Sequence, residues 1–193
     1  GATSLIMCAE IGRSLSPQLA RVLSKHTGLP LEAIIFTSTH SHATPEQTEP
    51  IDLYFEKGTE VTSQQLWVKL AQDQMLAAAD EALANMKPAS VGIGYSESFI
   101  NANRAVKYNQ TDKDGKVTQT INLGYNPTGV SDKTLAAIQF NDESGNPVAF
   151  IINYPVHGVV MHGNTILDGK TGVSADIPGI VSGFLETKYP GSV

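Results

Sequence analysis

The feature that most constrains the fold is a strand–helix–strand pattern at the start of the chain. Ser4–Ala9 is a short apolar run, and AIIFTST (residues 33–39) is a second one. In the segment SPQLARVLSKHTG between them, Pro17 suits the first position of a helix and Gly28 suits the residue that follows one. Two strands joined through a helix usually lie parallel, as a βαβ unit. The pattern therefore predicts an α/β fold in which the first strand is covered on both faces.

Periodicity predicts a long helix further along the chain, from about Ser63 to Met86, which ends before Pro88. A third helix is expected at Ile180–Tyr189, with Ser174 or Asp176 near its start. The buried face of the long helix is expected to include Leu66, Leu70, Ala77 and Leu83.

The middle of the chain carries strand and turn signals. Residues 91–100 predict a strand, and LAAIQF and PVAFIINYPV flank the turn residues DESGN as a hairpin. The polar stretch from Arg104 to Val130 is expected to form loops or a short hairpin. Residues 1–193 are thus interpreted as one α/β domain with a mixed β-sheet, a βαβ unit and flanking helices.

Composition limits the classes of function. The chain of 193 residues is 41% hydrophobic and 17% charged, as in a globular protein. Its net charge of −6 argues against a nucleic-acid partner, and no obligate protein partner is indicated. No apolar run approaches the roughly 20 residues needed to cross a bilayer. The apolar start ATSLIMCAE and the end YPGSV suggest an internal piece of a longer protein.

Two histidines lie one residue apart, directly after the second predicted strand. In an extended segment the side chains of His40 and His42 point the same way. His157 follows the apolar strand AFIINYPV in the same manner, and ligands of open α/β sheets bind at the carboxyl ends of strands. Catalytic zinc sites typically use three protein ligands, often imidazoles, plus water. The sequence therefore nominates a metal site at one sheet edge.

Each of these residues also has a simpler interpretation. His-x-His pairs occur in polar loops, His157 can be a hydrogen-bonded histidine at a strand end, and His162 can be an ordinary loop residue. Arg104 either stabilises an oxyanion or a carboxylate through paired donors, or is a solvated loop arginine. Asp176 is either an acceptor for a histidine N–H or a carboxylate at a helix start. Neither a GxSxG elbow nor a CxxC pair is present.

Four segments taken together, STHSH, NANR, NYPVHG and VSADIPG, resemble the neutral/alkaline (non-lysosomal) ceramidase family in its N-terminal catalytic domain. They are similar to that family's STHTH-type histidine motif, its NR segment and its strand–histidine–loop–SADxPG pattern. The order and spacing are similar from Ser4 to the end of the chain. Ser41 stands where the family motif has threonine.

The resemblance implies a zinc-dependent amidohydrolase that splits ceramide, a lipid-like N-acyl amide, into sphingosine and fatty acid. It implies His40 and His157 as zinc (Zn2+) ligands, and His42 and Arg104 as catalytic residues. A glutamate, a tyrosine and a serine of the family site would come from sequence after Val193. The family analogy also implies association with a membrane surface and a secreted, periplasmic or cell-surface location.

Two other functions remain open from the sequence. The same scaffold could act on another N-acyl amide or an ester, or it could be a non-catalytic module that binds a lipid or a partner. Close approach of the His40 and His157 side-chain nitrogens would favour the metal site, whereas placement on opposite faces would exclude it.

Overall fold

The structure, a computed structural model, describes residues 1–12, 16–44, 62–164, 169–170 and 172–193. These residues form two compact units. The first contains Gly1–Pro88 and Gly158–Gly191, and the second contains Ala89–His157 and Ser192–Val193. The organisation of residues 1–193 as one domain stays a prediction.

The first unit opens with the predicted order of elements. Strand β1 (Leu5–Ala9) pairs in parallel with β2 (Ile34–Ser38), and helix α1 (Ser16–Thr27) lies between them in sequence. Gly28 follows α1 with a φ of 73°, a left-handed conformation that glycine adopts without strain. The parallel pairing agrees with the prediction, whereas the βαβ unit as such stays a prediction.

One face of this two-stranded sheet is buried among the described residues. Leu5 and Met7 of β1 pack with Leu19 of α1 in the hydrophobic core, while Ile6 is 51% and Ile35 54% exposed. The expectation that β1 is covered on both faces is therefore wrong for the described part of the chain. The reason is that the core side chains of α1 contact the sheet from the Leu5 side.

Helix α2 (Ser63–Ala84) forms where it was predicted, and a capping box fixes its start. The Thr62 hydroxyl accepts from the Gln65 N–H at 3.2 Å, and the Gln65 carboxamide accepts from the Thr62 N–H at 2.9 Å. The predicted buried face is wrong, because Leu66 and Leu70 are exposed. Apolar residues occur on several sides of this alanine-rich helix, and the core instead takes up Val68, Met75 and Ala79.

Helix α3 (Asp176–Lys188) starts at one of the two predicted residues, four positions before Ile180. Pro178 falls in its first turn, where a missing N–H costs no intrahelical hydrogen bond. None of the helices in the described ranges combines the length and the apolar character needed to cross a bilayer.

The second unit is built from antiparallel strands. Strands β3 (Ser90–Glu97), β6 (Thr134–Asn141) and β7 (Pro147–Asn153) form one sheet in the order β3-β6-β7. Strands β4 (Asn103–Thr111) and β5 (Val117–Asn126) form a separate pair. The expected single mixed sheet is therefore wrong, since parallel and antiparallel strands belong to different sheets in the described part of the chain.

The predicted hairpin at DESGN is confirmed, and the polar stretch contains a second hairpin of the same design. Asp142 accepts from the N–H groups of Ser144 and Asn146, each at 2.9 Å, and Asp112 accepts from Asp114 and Lys116 in the same way. Because strands β4 and β5 span nine and ten residues, this hairpin is longer than the short one expected.

Candidate metal centre

His40 and His42 lie on a compact turn after β2. The backbone of His40 is left-handed, with a φ of 56°, and the segment is not extended at this point. The two imidazole centroids are 5.0 Å apart, with ring planes at 87°. The rings therefore lie together as predicted, although the turn, and not an extended backbone, brings them together.

Hydrogen bonds tie this turn to the rest of the first unit. The His42 N–H donates to the Gly158 carbonyl at 2.9 Å, and the Ser174 N–H donates to the Ala43 carbonyl at 2.8 Å. The Ser41 hydroxyl donates to the Ser174 carbonyl at 2.9 Å. Hydrogen bonds thus hold Ser41 and Ala43, the residues on either side of His42, whereas the side chains of His40 and His42 are exposed.

His157 follows β7 by four residues, and the segment that leads to it is held by polar contacts. The Asn101 side chain donates to the Pro155 carbonyl at 2.7 Å and also to the Asp132 carbonyl. The Tyr154 hydroxyl donates to the Ser98 carbonyl at 2.9 Å. The NANR segment therefore contributes an anchor for the approach to His157 through its first asparagine.

One ligand atom from each of His40, His42 and His157 lies within 4.8 Å of the other two. Two nitrogens bound to one tetrahedral zinc at about 2.1 Å are roughly 3.4 Å apart, so each ring needs to shift by no more than about 1 Å. A set of three imidazoles is also a chemistry that suits zinc. These three residues could therefore hold a metal ion.

The predicted reason for this convergence is wrong in one respect. His40 follows β2 of the parallel pair, whereas His157 follows β7 of the antiparallel sheet. A shared sheet edge thus does not bring them together. The direct link is the peptide bond from His157 to Gly158, whose carbonyl accepts from the His42 N–H.

Arg104 lies in β4, exposed, at an irregularity in the pairing of β4 with β5 between Asn103 and Ala105. It lines an open depression of about 370 Å³ together with Ile121 and Leu123. The expected loop arginine is thus a strand residue beside apolar side chains. Its catalytic role stays a prediction.

His162 lies beside His42, although the sequence suggested an ordinary loop residue. Its ring centroid is 5.6 Å from that of His42, with planes at 88°, and its Nδ1 lies 3.3 Å from the His42 carbonyl oxygen. The fifth histidine, His26, pairs instead with Asp80 of α2 at 2.8 Å. Spacing in sequence gave no signal for the contact between His162 and His42, because 120 positions separate the two residues.

Asp176 is buried and holds the turn that carries His162. Its carboxylate accepts from the Met161 N–H at 2.8 Å and from the Ile177 N–H at 2.7 Å, at the first turn of α3. Only 2% of Asp176 is exposed, and its backbone is left-handed, with a φ of 56°. The helix-start interpretation is therefore right, and the same carboxylate also orders the loop after His157.

Glu10, directly after β1, has a carboxyl group whose pKa is shifted by its surroundings in the first unit. Partial desolvation of its carboxylate, followed by repulsion from Glu186 of α3, raises the pKa of Glu10 above its ordinary value. The folded state thus holds the Glu10 proton more tightly than the unfolded state does. The contribution of Glu10 to stability should be greatest below its ordinary pKa of about 4.3 and should fall as the pH rises through the raised value.

We expect Glu10→Gln to raise the melting temperature at pH 7, because it removes a charge that the fold disfavours. The difference from the unsubstituted protein should shrink to zero near pH 3, where Glu10 is protonated in both states. Thermal unfolding between pH 3 and 7 measures this. Glu186→Gln is the control and should give a smaller gain, since desolvation is the larger cause. A Glu10→Gln protein that melts at a lower temperature at pH 7 would contradict the assignment.

Comparison with known proteins gives a match in structure but not in sequence. No protein-family model and no curated protein matches the chain. The structure of neutral ceramidase from Pseudomonas aeruginosa matches with a TM-score of 0.56 and 20% identity, over 91% of this chain and 26% of that one. A ceramidase complexed with C2 matches with a TM-score of 0.55 and 19% identity, over 90% and 25% of the two chains. The chain spans about a quarter of the length of these ceramidases, and it has the fold of that part of a neutral ceramidase.

Proposed function

We propose that this chain is part of the catalytic domain of a zinc-dependent amidohydrolase that cleaves the N-acyl amide bond of ceramide into sphingosine and fatty acid. The observation that carries the proposal is the cluster of His40, His42 and His157, with ligand atoms within 4.8 Å of one another. That cluster occurs in a chain with the fold of part of a neutral ceramidase.

In this proposal His40 and His157 hold the zinc ion as neutral imidazoles. When bound, zinc lowers the pKa of its water towards about 7 and polarises an amide carbonyl. His157 is partly buried and His40 is exposed, so a zinc ion held by the pair would be accessible to solvent and to a substrate. Further ligands would come from residues after Val193.

His42 and Arg104 have the catalytic roles. The ring of His42 lies against that of His40, so it can hydrogen-bond a substrate atom next to the ion. Arg104 supplies guanidinium donors for an oxygen that gains negative charge, and removal of such a donor typically costs roughly 3–4 kcal/mol. Its exposed position leaves these donors available.

An apolar substrate agrees with the surface around Arg104. Ile121 and Leu123 are 66% and 76% exposed and line the same depression. An acyl chain can bury its methylenes there at about 0.8 kcal/mol each. Because ceramide is a membrane lipid, we also propose that the protein works at a membrane surface, outside the cytoplasm. Fractionation of the source cells would test this location.

The proposal is tested with the full-length protein and a panel of substrates at equal concentration. The panel contains a long-chain ceramide, a short polar N-acyl amide and an ester with the same acyl chain. We expect fatty-acid release from ceramide that stops when a chelator removes the metal and returns when zinc is added. Turnover of the ester or the polar amide with ceramide untouched would favour a different metallohydrolase. Binding of ceramide without any turnover would favour a lipid-binding module.

A further inference from the structure

Ser41, which separates the two histidines of the turn, differs from both in burial. None of its surface is exposed, while His40 and His42 are exposed on either side of it. A fully buried hydroxyl needs hydrogen-bond partners, because an unpaired one would cost free energy. The contacts of Ser41 therefore indicate what the turn is attached to.

The Ser41 hydroxyl has partners on two sides. It donates to the Ser174 carbonyl at 2.9 Å and accepts from the Ala43 N–H at 3.3 Å. The Ser174 N–H donates in return to the Ala43 carbonyl at 2.8 Å. Ser41 thus links the turn to the segment that precedes α3, and it closes the turn on itself.

Two glycines allow the backbone of Ser41 to sit this deeply. A Cβ on Gly12 would lie 2.9 Å from the Ser41 carbonyl oxygen, and a Cβ on Gly158 would lie 3.3 Å from the Ser41 Cα. Both contacts are tighter than side chains normally accept, so a larger residue at Gly12 would force a shift and one at Gly158 would need the turn to give by a few tenths of an ångström. The glycine after His157 and the serine between the two other histidines are therefore packed against each other.

The turn also has to hold a residue in an uncommon backbone conformation. His40 has a φ of 56°, a region that few non-glycine residues adopt, although histidine adopts it more often than most. Such a conformation persists only when the surroundings impose it. The hydrogen bonds of Ser41 and its contact with Gly158 are among the interactions that hold the turn in this conformation.

We propose that Ser41 is a positioning residue that fixes the places of His40, a proposed zinc ligand, and of His42 before any ion binds. The inference rests on the proposed zinc site and adds that the site is preorganised by a buried hydroxyl and not assembled by the metal. Residues that orient metal ligands typically change metal affinity 10–100-fold when replaced. Ser41 acts through the backbone on either side of it and does not itself contact the reacting atoms.

The test uses three variants of the full-length protein. Ser41→Ala removes the hydroxyl, and Ser41→Thr keeps it. Ser24→Ala is the matched control, because the Ser24 hydroxyl also donates to a carbonyl, that of Leu29 at 2.6 Å. Zinc dissociation constants come from competition with a chelating dye. Hydrogen exchange of the peptide covering residues 39–44 is measured on the metal-free proteins, and melting temperatures show that each variant is folded.

We expect Ser41→Ala to weaken zinc binding at least tenfold and to speed exchange in residues 39–44, with Ser41→Thr and Ser24→Ala close to the unsubstituted protein. Unchanged zinc affinity in a folded Ser41→Ala protein would overturn the inference, as would a Ser41→Thr protein as weak as Ser41→Ala. If the unsubstituted protein binds no zinc, the proposed function fails. Exchange then still decides whether Ser41 holds the turn: faster exchange in Ser41→Ala supports this role, and unchanged exchange refutes it.

Discussion

Replacement of either proposed zinc ligand, as His40→Ala or His157→Ala, should abolish zinc binding when zinc and protein are at equal concentration. Fatty-acid release from ceramide should be lost as well. Each substitution removes one imidazole from a cluster whose ligand atoms lie within 4.8 Å of one another. Residues that only support a ligand cost 10–100-fold when lost, so loss of a ligand should cost more than about 100-fold. Zinc content by mass spectrometry and ceramide turnover by the full-length variants measure the two effects.

His42→Ala is the matched control, because it removes an imidazole from the same cluster. If His42 acts on the substrate, as the resemblance implies, its variant should keep zinc and lose turnover. If His42 is instead the third ligand, zinc should be lost as well. Normal zinc content in both His40→Ala and His157→Ala would show that the ion binds elsewhere.

Leu19→Ala should have the largest effect on stability. Leu19 is 1% exposed and packs in the core of the first unit with Leu5, Ile34 and Val68. Truncation of a leucine at such a site leaves a cavity and typically lowers the free energy of unfolding by about 2–5 kcal/mol. Urea unfolding followed by circular dichroism measures the change.

Leu66→Ala provides the comparison, since it is the same truncation on a helix surface where the leucine is 61% exposed. We expect a change within about 0.5 kcal/mol there. Equal losses for the two variants would mean that α1 does not pack on the sheet as described.

The early elements of the fold could be predicted because local signals agree with the tertiary contacts. An apolar run, a proline and a glycine at the helix ends, and a second apolar run indicated β1, α1 and β2. The buried face of α2 could not be predicted, because apolar residues lie on several sides of this helix and the sequence does not show which side is buried. Packing against the core selected Val68 and Met75 over Leu66 and Leu70.

The hairpin of β4 and β5 was underestimated because its strands are largely polar. Val117, Ile121, Leu123 and Tyr125 do alternate with polar residues along β5, which is a strand signal. All four side chains are exposed in the structure, so the alternation does not mark a buried face of the strand. The sequence Asp112 to Lys116 matches the turn at Asp142 to Asn146 in its aspartate and glycine positions, and that likeness was the better signal.

The histidines of the site could be named from the sequence, but the residues that position them could not. His40, His42 and His157 could be selected because each lies shortly after an apolar run of the sequence. Ser41, Gly12 and Gly158 are small residues in irregular segments, and nothing in a sequence distinguishes a buried serine from an exposed one. Contacts such as that between Ser41 and Ser174 join positions 133 apart, which only the fold brings together.

The most direct test of the central claim is a crystal structure of the zinc-loaded full-length protein, with an anomalous difference map at the zinc absorption edge. We predict one strong peak with a side-chain nitrogen of His40 and one of His157 each about 2.0–2.1 Å away. A map with no peak between these two residues, in a sample that contains stoichiometric zinc, would contradict the account.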